Sequence, residues 1–161
     1  MSQVILLCGK VCAGKSFYAE KLRKERNIVV LSVDELMLSL FPEHLGDRHC
    51  ETVRKSKEFL SLQAEKITAA GCDVLLEYGL WGKAERDELR ARFESLGHEV
   101  KLVYIKASNE KILENAKKRN ADRASGNEKF SYEADEALLG KCSKMFCEPS
   151  EDECDEIIDV N

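Results

Sequence analysis

The stretch from Gly9 to Ser16 contains the residue types and the spacing that bind nucleotide phosphates. It reads Gly-Lys-Val-Cys-Ala-Gly-Lys-Ser, which matches the pattern G-x-x-x-x-G-K-[ST] at every fixed position. Gly9 and Gly14 let the backbone turn so that successive N–H groups point into one concavity. Lys15 would then reach the outer phosphates, and Ser16 would supply a hydroxyl oxygen to Mg²⁺. The segment therefore predicts a binding site for ATP with Mg²⁺.

The residues on either side of this loop support the same interpretation. A continuous apolar run at 4–8 precedes it, as expected of a strand buried on both faces, and a helix from Lys15 to about Arg26 follows it. The N-terminus of such a helix is a ready anion site. The predicted phosphate-binding residues are Gly9, Lys10, Val11, Cys12, Ala13, Gly14, Lys15 and Ser16.

Two carboxylates follow apolar strands elsewhere in the sequence. Asp34 comes after the strand at 28–33, and Glu77 ends the strand at 73–77. Ligands of parallel sheets bind at the carboxyl ends of the strands, so both side chains should face the terminal phosphate. Asp34 is the candidate catalytic base that takes the proton of an acceptor hydroxyl. It could instead cap the following helix.

The role of Glu77 has several alternatives. It could contact the acceptor, form a structural hydrogen bond to the phosphate loop, or hold Mg²⁺ through a water molecule, a metal role also open to Asp34.

Two arginines stand where a helix passes into a polar segment. Arg119 directly precedes the stretch 120–131, and Arg123 lies within it. This stretch lacks hydrophobic periodicity and is predicted to be a mobile lid. A guanidinium there could close over the phosphates and offset the charge that develops during transfer. Arg119 is predicted to be catalytic, and both arginines are predicted to bind the nucleotide. The alternative is a solvated helix end, where cations are favourable in any case.

Strands and amphipathic helices alternate along the whole sequence, which predicts an α/β domain with helices on both faces of a parallel sheet. A single domain over 1–161 is expected from the length. The later strands are predicted at 28–33, 73–77, 100–105 and 157–160, and the later helices at 34–41, 48–70, 82–96, 108–119 and 132–146.

Charge and composition exclude several classes of protein. The formal charge of −5 argues against a nucleic-acid partner, which would need a basic surface. The first apolar run is too short for a signal or a spanning helix, so we expect a cytoplasmic protein without a membrane partner, either a monomer or a weak homodimer. None of the seven cysteines shows the C-x-x-C spacing, which predicts free thiols, and Cys12 is a candidate for oxidation inside the phosphate loop.

Together these segments resemble a known family. Besides the phosphate loop, the resemblance rests on Ser-Val-Asp-Glu-Leu at 32–36, Glu-Tyr-Gly-Leu-Trp at 77–81, Lys-Arg-Asn at 118–120 and Phe-Cys-Glu-Pro-Ser-Glu-Asp-Glu at 146–153. The chain is similar to small bacterial P-loop kinases of the AAA-type ATP-binding group, which are related to zeta toxin, chloramphenicol phosphotransferase, gluconate kinase and polynucleotide kinase.

The resemblance implies a three-layer P-loop NTPase fold, like that of the nucleoside monophosphate kinases, with strand order 2-3-1-4-5 and a small lid. It also implies that Asp34 is the base and that Arg119 binds phosphate. Trp81 would be either core packing or a wall of the acceptor site. Glu77 stands where the family often has aspartate, and Arg86 matches the family with no role beyond a helix-surface ion pair or a substrate contact.

The leading hypothesis is a kinase that moves the γ-phosphate of ATP to a hydroxyl of a small-molecule acceptor. The acceptor would lie between Asp34, Glu77 and Trp81. The alternative hypothesis is a nucleotide-dependent switch or ATP-binding module without a second substrate.

Overall fold

Five strands form one parallel sheet in the computed structural model, which describes residues 1–161. Their order across the sheet is β2-β3-β1-β4-β5, which confirms the strand order implied by the resemblance. The strands are β1 (Gln3–Cys8), β2 (Ile28–Ser32), β3 (Asp73–Gly79), β4 (Glu99–Lys106) and β5 (Glu156–Asp159). The phosphate loop therefore leaves the central strand of the sheet.

Six α-helices connect these strands. They are α1 (Lys15–Glu25), α2 (Val33–Leu40), α3 (His49–Ala69), α4 (Lys83–Ser95), α5 (Asn109–Ala124) and α6 (Glu136–Met145), with short 3₁₀ turns at Gly46–Arg48 and Glu151–Glu153. None of the helices combines the length and the apolar character needed to cross a lipid bilayer.

Alternate side chains of β1 enter two separate hydrophobic clusters. Val4 and Leu6 pack in a cluster that includes buried residues of α2, α3 and α4, whereas Ile5 and Leu7 pack in a second cluster with Ala19 of α1. This division follows from the two-residue period of a strand. The sheet is consequently a central layer with apolar packing on both faces, as the three-layer prediction requires.

The boundaries of α5 and α6 differ from the prediction. α5 begins after its cap Ser108, as predicted, but continues through Ala124 instead of stopping at Arg119. α6 begins at Glu136 and not at Tyr132, because Asp135 caps it by accepting a hydrogen bond of 2.8 Å from Leu138 N. The residues that connect the two helices, 125–135, are called the α5–α6 connection below.

Candidate functional site

The phosphate loop is shaped by three residues with special backbone requirements. A Cβ added at Gly9 would lie 2.9 Å from the carbonyl oxygen of Ile105 on β4, so only glycine fits there. Gly14 and Cys12 have φ values of 109° and 62°, both in the left-handed region. Glycine adopts this region freely, whereas a cysteine does so at a cost that marks a constrained turn. The loop is thus held in a curled conformation between β1 and α1.

Several amide groups of this loop have no partner within the protein. Val11 N donates to Cys142 Sγ at 3.4 Å and Ala13 N donates to Lys10 O at 3.1 Å. In contrast, the backbone N–H groups of Cys12, Gly14, Lys15 and Ser16 have no acceptor within the protein. The first amides of a helix lack intrahelical acceptors and carry the positive end of its dipole. The arrangement fits an anion of phosphate size.

Lys15 lies against the rim of the loop. Its Nζ donates to Gly9 O at 2.9 Å and to Lys10 O at 2.7 Å, and a lysine ammonium has a third N–H to offer. Burial lowers the pKa of Lys15, while the charges of Glu77 and Asp34 act in the opposite direction. The ammonium therefore contacts the phosphate loop and is subject to the charges of both predicted carboxylates.

Glu77 contacts the phosphate loop directly. Ser16 donates its hydroxyl hydrogen bond to Glu77 Oε1 at 2.5 Å, across 61 positions of sequence. Burial raises the pKa of Glu77, and the hydrogen bond from Ser16 and the charge of Lys15 partly oppose that shift. Mg²⁺ prefers oxygen ligands of this kind, so the pair Ser16 and Glu77 fits the metal that accompanies ATP.

Asp34 is the second residue of α2 and has no structural partner. The cap of α2 is Ser32, whose hydroxyl accepts a hydrogen bond of 3.3 Å from Glu35 N. The predicted alternative, in which Asp34 caps this helix, is wrong. Burial raises the pKa of the half-buried Asp34, and the positive charges of Arg119, Lys15 and Lys57 oppose that shift without any hydrogen bond. Its carboxylate is left free for a ligand.

Arg119 lies over the phosphate loop from α5. One terminal nitrogen donates to Cys12 Sγ at 3.7 Å, and the other donates to the backbone oxygen of Tyr132. Its Nε is buried without a partner. Arg123 is placed differently, because its Nε donates to Ser131 O at 2.7 Å in the α5–α6 connection. The structure brings Arg119, and not Arg123, into contact with the predicted nucleotide site.

Two contacts to the phosphate loop were not predicted from the sequence. Asn115 donates from Nδ2 to Cys12 O at 2.8 Å, and Cys142 of α6 accepts the hydrogen bond from Val11 N. Asn115 could have been found, because it precedes Arg119 by four residues and so shares its helix face. Nothing in the local sequence around Cys142 indicates a contact with a loop 131 positions away.

Trp81 lies two residues after the end of β3, where the acceptor wall was predicted. The ring is half-buried, and its Nε1 would be 3.3 Å from a Cβ added at Gly79. Its backbone oxygen accepts a hydrogen bond of 2.8 Å from Cys147 N. The indole therefore packs along the backbone at the carboxyl edge of the sheet, close in sequence to Glu77.

Arg86 is a buried structural residue, which corrects the expectation of a helix-surface ion pair or a substrate contact. Its residue exposure is 2%, and its Nε lies 2.6 Å from Glu153 Oε1. One terminal nitrogen also donates to Leu80 O and Cys147 O, both at 3.0 Å. The guanidinium thereby joins the end of β3 to the C-terminal part of the chain.

Three solved structures with the same fold are kinases or nucleotide complexes. Adenosine phosphosulfate (APS) kinase CysC of Mycobacterium tuberculosis, solved with AMPPNP and APS, has a TM-score of 0.65 at 18% identity over 99% of this chain and 89% of that chain. Kti12 of Chaetomium thermophilum with ADP-AlF3 has a TM-score of 0.67 at 13% identity over 98% and 88% of the two chains.

A gluconokinase of Sinorhizobium meliloti has a TM-score of 0.62 at 16% identity, over 98% of this chain and 82% of that chain. At these identities the likeness establishes the kinase-like P-loop fold. Comparison with curated proteins gives no match. The family model described as "AAA domain" matches residues 4–149, which includes the phosphate loop, both carboxylates and Arg119. The chain therefore belongs to the AAA domain family.

Proposed function

We propose that this protein is an ATP-dependent phosphotransferase that moves the γ-phosphate of ATP to a hydroxyl group of a small molecule. The observation that carries the proposal is the free carboxylate of Asp34. It makes no hydrogen bond within the protein, yet the charges of Lys15 and Arg119 act on it. A P-loop that only binds nucleotide does not require such a carboxylate beside its lysine, whereas transfer to a hydroxyl requires a proton acceptor there.

The environment of Asp34 suits a general base. A carboxylate in water has a low pKa and is a weak base, and burial raises the pKa of Asp34 from its ordinary value, which makes it a stronger base. Asp34 takes the proton of the acceptor hydroxyl while the acceptor oxygen forms its bond to the γ-phosphorus. The bond from that phosphorus to the β–γ bridging oxygen breaks, and ADP leaves with the bonding electrons.

Other residues of the site stabilise the negative charge of this reaction. Lys15 and the amides of the loop hold the phosphates, and Arg119 approaches from α5 on the side of Cys12. Ser16, with Glu77 directly or through water, would hold Mg²⁺, which when bound neutralises charge on the phosphate oxygens. The solved kinases of the same fold support this reaction class, and the acceptor of this chain is assigned by chemistry alone.

The α5–α6 connection is proposed as the lid of one kinase-like domain that spans the chain. It has little regular structure, and side chains of α5 bind its backbone: Arg119 binds Tyr132 O, Asn120 binds Ala134 O at 3.0 Å and Arg123 binds Ser131 O. Movement of this segment would admit the acceptor and then exclude water from the γ-phosphate.

The test combines an acceptor screen with a substitution at Asp34. Transfer of label from γ-labelled ATP is measured against pooled hydroxyl metabolites, and binding of a fluorescent ATP analogue is measured in parallel. We expect Asp34→Asn to lose transfer by about 10²–10⁴-fold, the range for a lost general base, while the affinity for nucleotide is retained. Asp47→Asn is the matched control, because that carboxylate is exposed in the 3₁₀ turn before α3.

Two outcomes would contradict the proposal. Unchanged transfer in Asp34→Asn would remove the base. Slow ATP hydrolysis that no pool accelerates would favour a nucleotide-dependent switch instead.

A further inference from the structure

Two buried hydroxyl groups of the α5–α6 connection have no hydrogen-bond partner. They are Ser131 Oγ and Tyr132 Oη, and both are hidden from solvent. Buried polar groups in folded proteins are almost always paired, so an unpaired one indicates a constrained or functional position, or a partner such as water or a ligand. Here two neighbouring residues share the feature, and both follow α5, which carries Arg119.

The backbone of Tyr132 is fixed by the predicted catalytic arginine. Arg119 donates to Tyr132 O from the same guanidinium that contacts Cys12 of the phosphate loop. The ring of Tyr132 meets the ring of His49 edge-on, with centroids 5.5 Å apart and planes at 79°. Tyr132 therefore contacts Arg119, which lies over the phosphate loop, and also His49, the first residue of α3.

The charge of the predicted base also acts on the phenol of Tyr132. Burial raises the pKa of Tyr132, and the negative charge of Asp34 adds to that shift, whereas no positive charge opposes it. Lys57, a cation that acts on Asp34, is paired with Glu85 at 2.6 Å. An anionic group placed at the phenol would meet the negative charge of Asp34, whereas the guanidinium of Arg119 donates to Tyr132 O and Cys12 Sγ and not to the phenol.

From these contacts we propose that Tyr132 is a specificity-determining residue of the acceptor site, where its hydroxyl hydrogen-bonds to a second, uncharged hydroxyl of the acceptor. The acceptor is accordingly a neutral polyol, with one hydroxyl at Asp34 and another at Tyr132. This inference rests on the proposed phosphotransferase function. The hydroxyl is the only hydrogen-bonding group of this side chain, and it has no partner within the protein. Binding of the acceptor would supply that partner.

The experiment compares two acceptor pools and two tyrosine variants. Transfer from γ-labelled ATP is measured with a pool of neutral sugars, sugar alcohols and cyclitols and with a pool of hydroxy acids and sugar phosphates. Tyr132→Phe removes only the hydroxyl, and Tyr18→Phe makes the same change in α1, outside the proposed site. Nucleotide affinity and thermal unfolding are recorded for each variant.

The expected result is transfer to the neutral pool. For the compound that accepts phosphate, KM rises about three- to tenfold in Tyr132→Phe, the effect of one lost hydrogen bond, while kcat and nucleotide affinity stay within about twofold. Tyr18→Phe leaves all three unchanged. Tm of Tyr132→Phe without acceptor equals or exceeds that of the wild type, because an unpaired buried hydroxyl contributes no stability.

Each contrary result has a distinct meaning. Transfer to the anionic pool alone, or an unchanged KM in Tyr132→Phe, overturns this inference and leaves the phosphotransferase function standing. A lower Tm in Tyr132→Phe with unchanged KM assigns the hydroxyl a purely structural bond and also overturns it. Absence of transfer to either pool, with nucleotide binding intact, overturns the proposed function and this inference with it.

Discussion

Ser16 and Glu77 are joined by a hydrogen bond of 2.5 Å from the seryl hydroxyl to the carboxylate Oε1. The bond connects the first turn of α1 to the carboxyl end of β3, so it links the phosphate loop to the adjacent strand. Both residues were predicted at the metal, but the contact between them was only one of three alternatives. The same oxygen pair can bind Mg²⁺ or brace the loop, and the two roles respond differently to substitution.

The metal role is tested by Glu77→Gln. The amide keeps the shape and a hydrogen-bonding oxygen but loses the charge, so we expect the Mg²⁺ concentration needed for half-maximal nucleotide binding to rise by about tenfold or more. Titration of a fluorescent ATP analogue with Mg²⁺ measures it. Glu110→Gln, at an exposed position of α5, is the control. An unchanged Mg²⁺ dependence would exclude the metal role of Glu77.

The order of elements and the phosphate loop were predictable because both depend on local sequence. Strand runs with apolar side chains on both faces, the cap Ser108 and the fixed positions of the loop are visible without any knowledge of distant contacts. The end of α5 was missed because the polar residues after Arg119 lack periodicity. They nevertheless continue the helix, since no proline or glycine interrupts it before Gly126.

The long-range contacts of the site could not be predicted from spacing. Arg86 and Glu153 are 67 positions apart, and Arg86 resembles any exposed helix arginine in the sequence. Only the packing of α4 against the C-terminal part of the chain buries it. The same holds for Cys142, whose contact with Val11 depends on where the α5–α6 connection places α6.

The buried ion pair of Arg86 and Glu153 should be essential for stability. Arg86→Ala leaves a buried carboxylate and two carbonyl oxygens without their donor, so we expect the free energy of unfolding to fall by about 3–5 kcal/mol. Arg23→Ala, whose side chain is 57% exposed beside Glu20, should leave the free energy of unfolding nearly unchanged. Urea unfolding of both variants measures the difference. Equal losses would mean that Arg86 makes no greater net contribution than a surface pair.

Arg119 and Arg123 should differ in catalysis although both bind the α5–α6 connection. Arg119→Ala removes the guanidinium beside Cys12, and we expect kcat to fall on the order of 10³-fold or more, as for other arginines that stabilise phosphoryl transfer. Arg123→Ala removes only a hydrogen bond to Ser131 O and should lower kcat by less than about tenfold. Steady-state kinetics with the identified acceptor measure both. Similar losses would show that the arginines act only by holding the lid.

Cys12 should make nucleotide binding sensitive to alkylation. Its thiol is half-buried in the phosphate loop, and a carboxamidomethyl group there would occupy the space beside Arg119. We expect iodoacetamide to reduce the affinity for a fluorescent ATP analogue by at least about tenfold and prior binding of ATP to protect it. Cys12→Ser should be insensitive, whereas Cys50→Ser, at an exposed position of α3, should remain sensitive. Equal sensitivity of both variants would place the effect at another cysteine.

The carboxylate of Asp34 should reduce stability at neutral pH. Burial raises its pKa above the ordinary value of 3.8, so the folded state binds this proton more tightly than the unfolded state. The free energy of unfolding then falls as pH rises through the raised pKa of the folded state. Below the pKa of this carboxyl in the unfolded state, the charge is absent and stability is not reduced. Asp34→Asn removes the charge, so Tm at pH 7.5 should increase by about 2–4 °C, equivalent to roughly 1 kcal/mol in a domain of this size.

Calorimetry at several pH values measures whether Asp34→Asn raises or lowers Tm. The gain in Asp34→Asn should shrink as pH approaches 4, while Glu35→Gln, at the exposed neighbouring position, should show no gain at any pH. A variant that is less stable than the wild type at pH 7.5 would mean that attraction to Arg119, Lys15 and Lys57 exceeds the cost of burial. In that case the pKa of Asp34 would be lowered, and the carboxylate would be a weaker base than the proposed reaction requires.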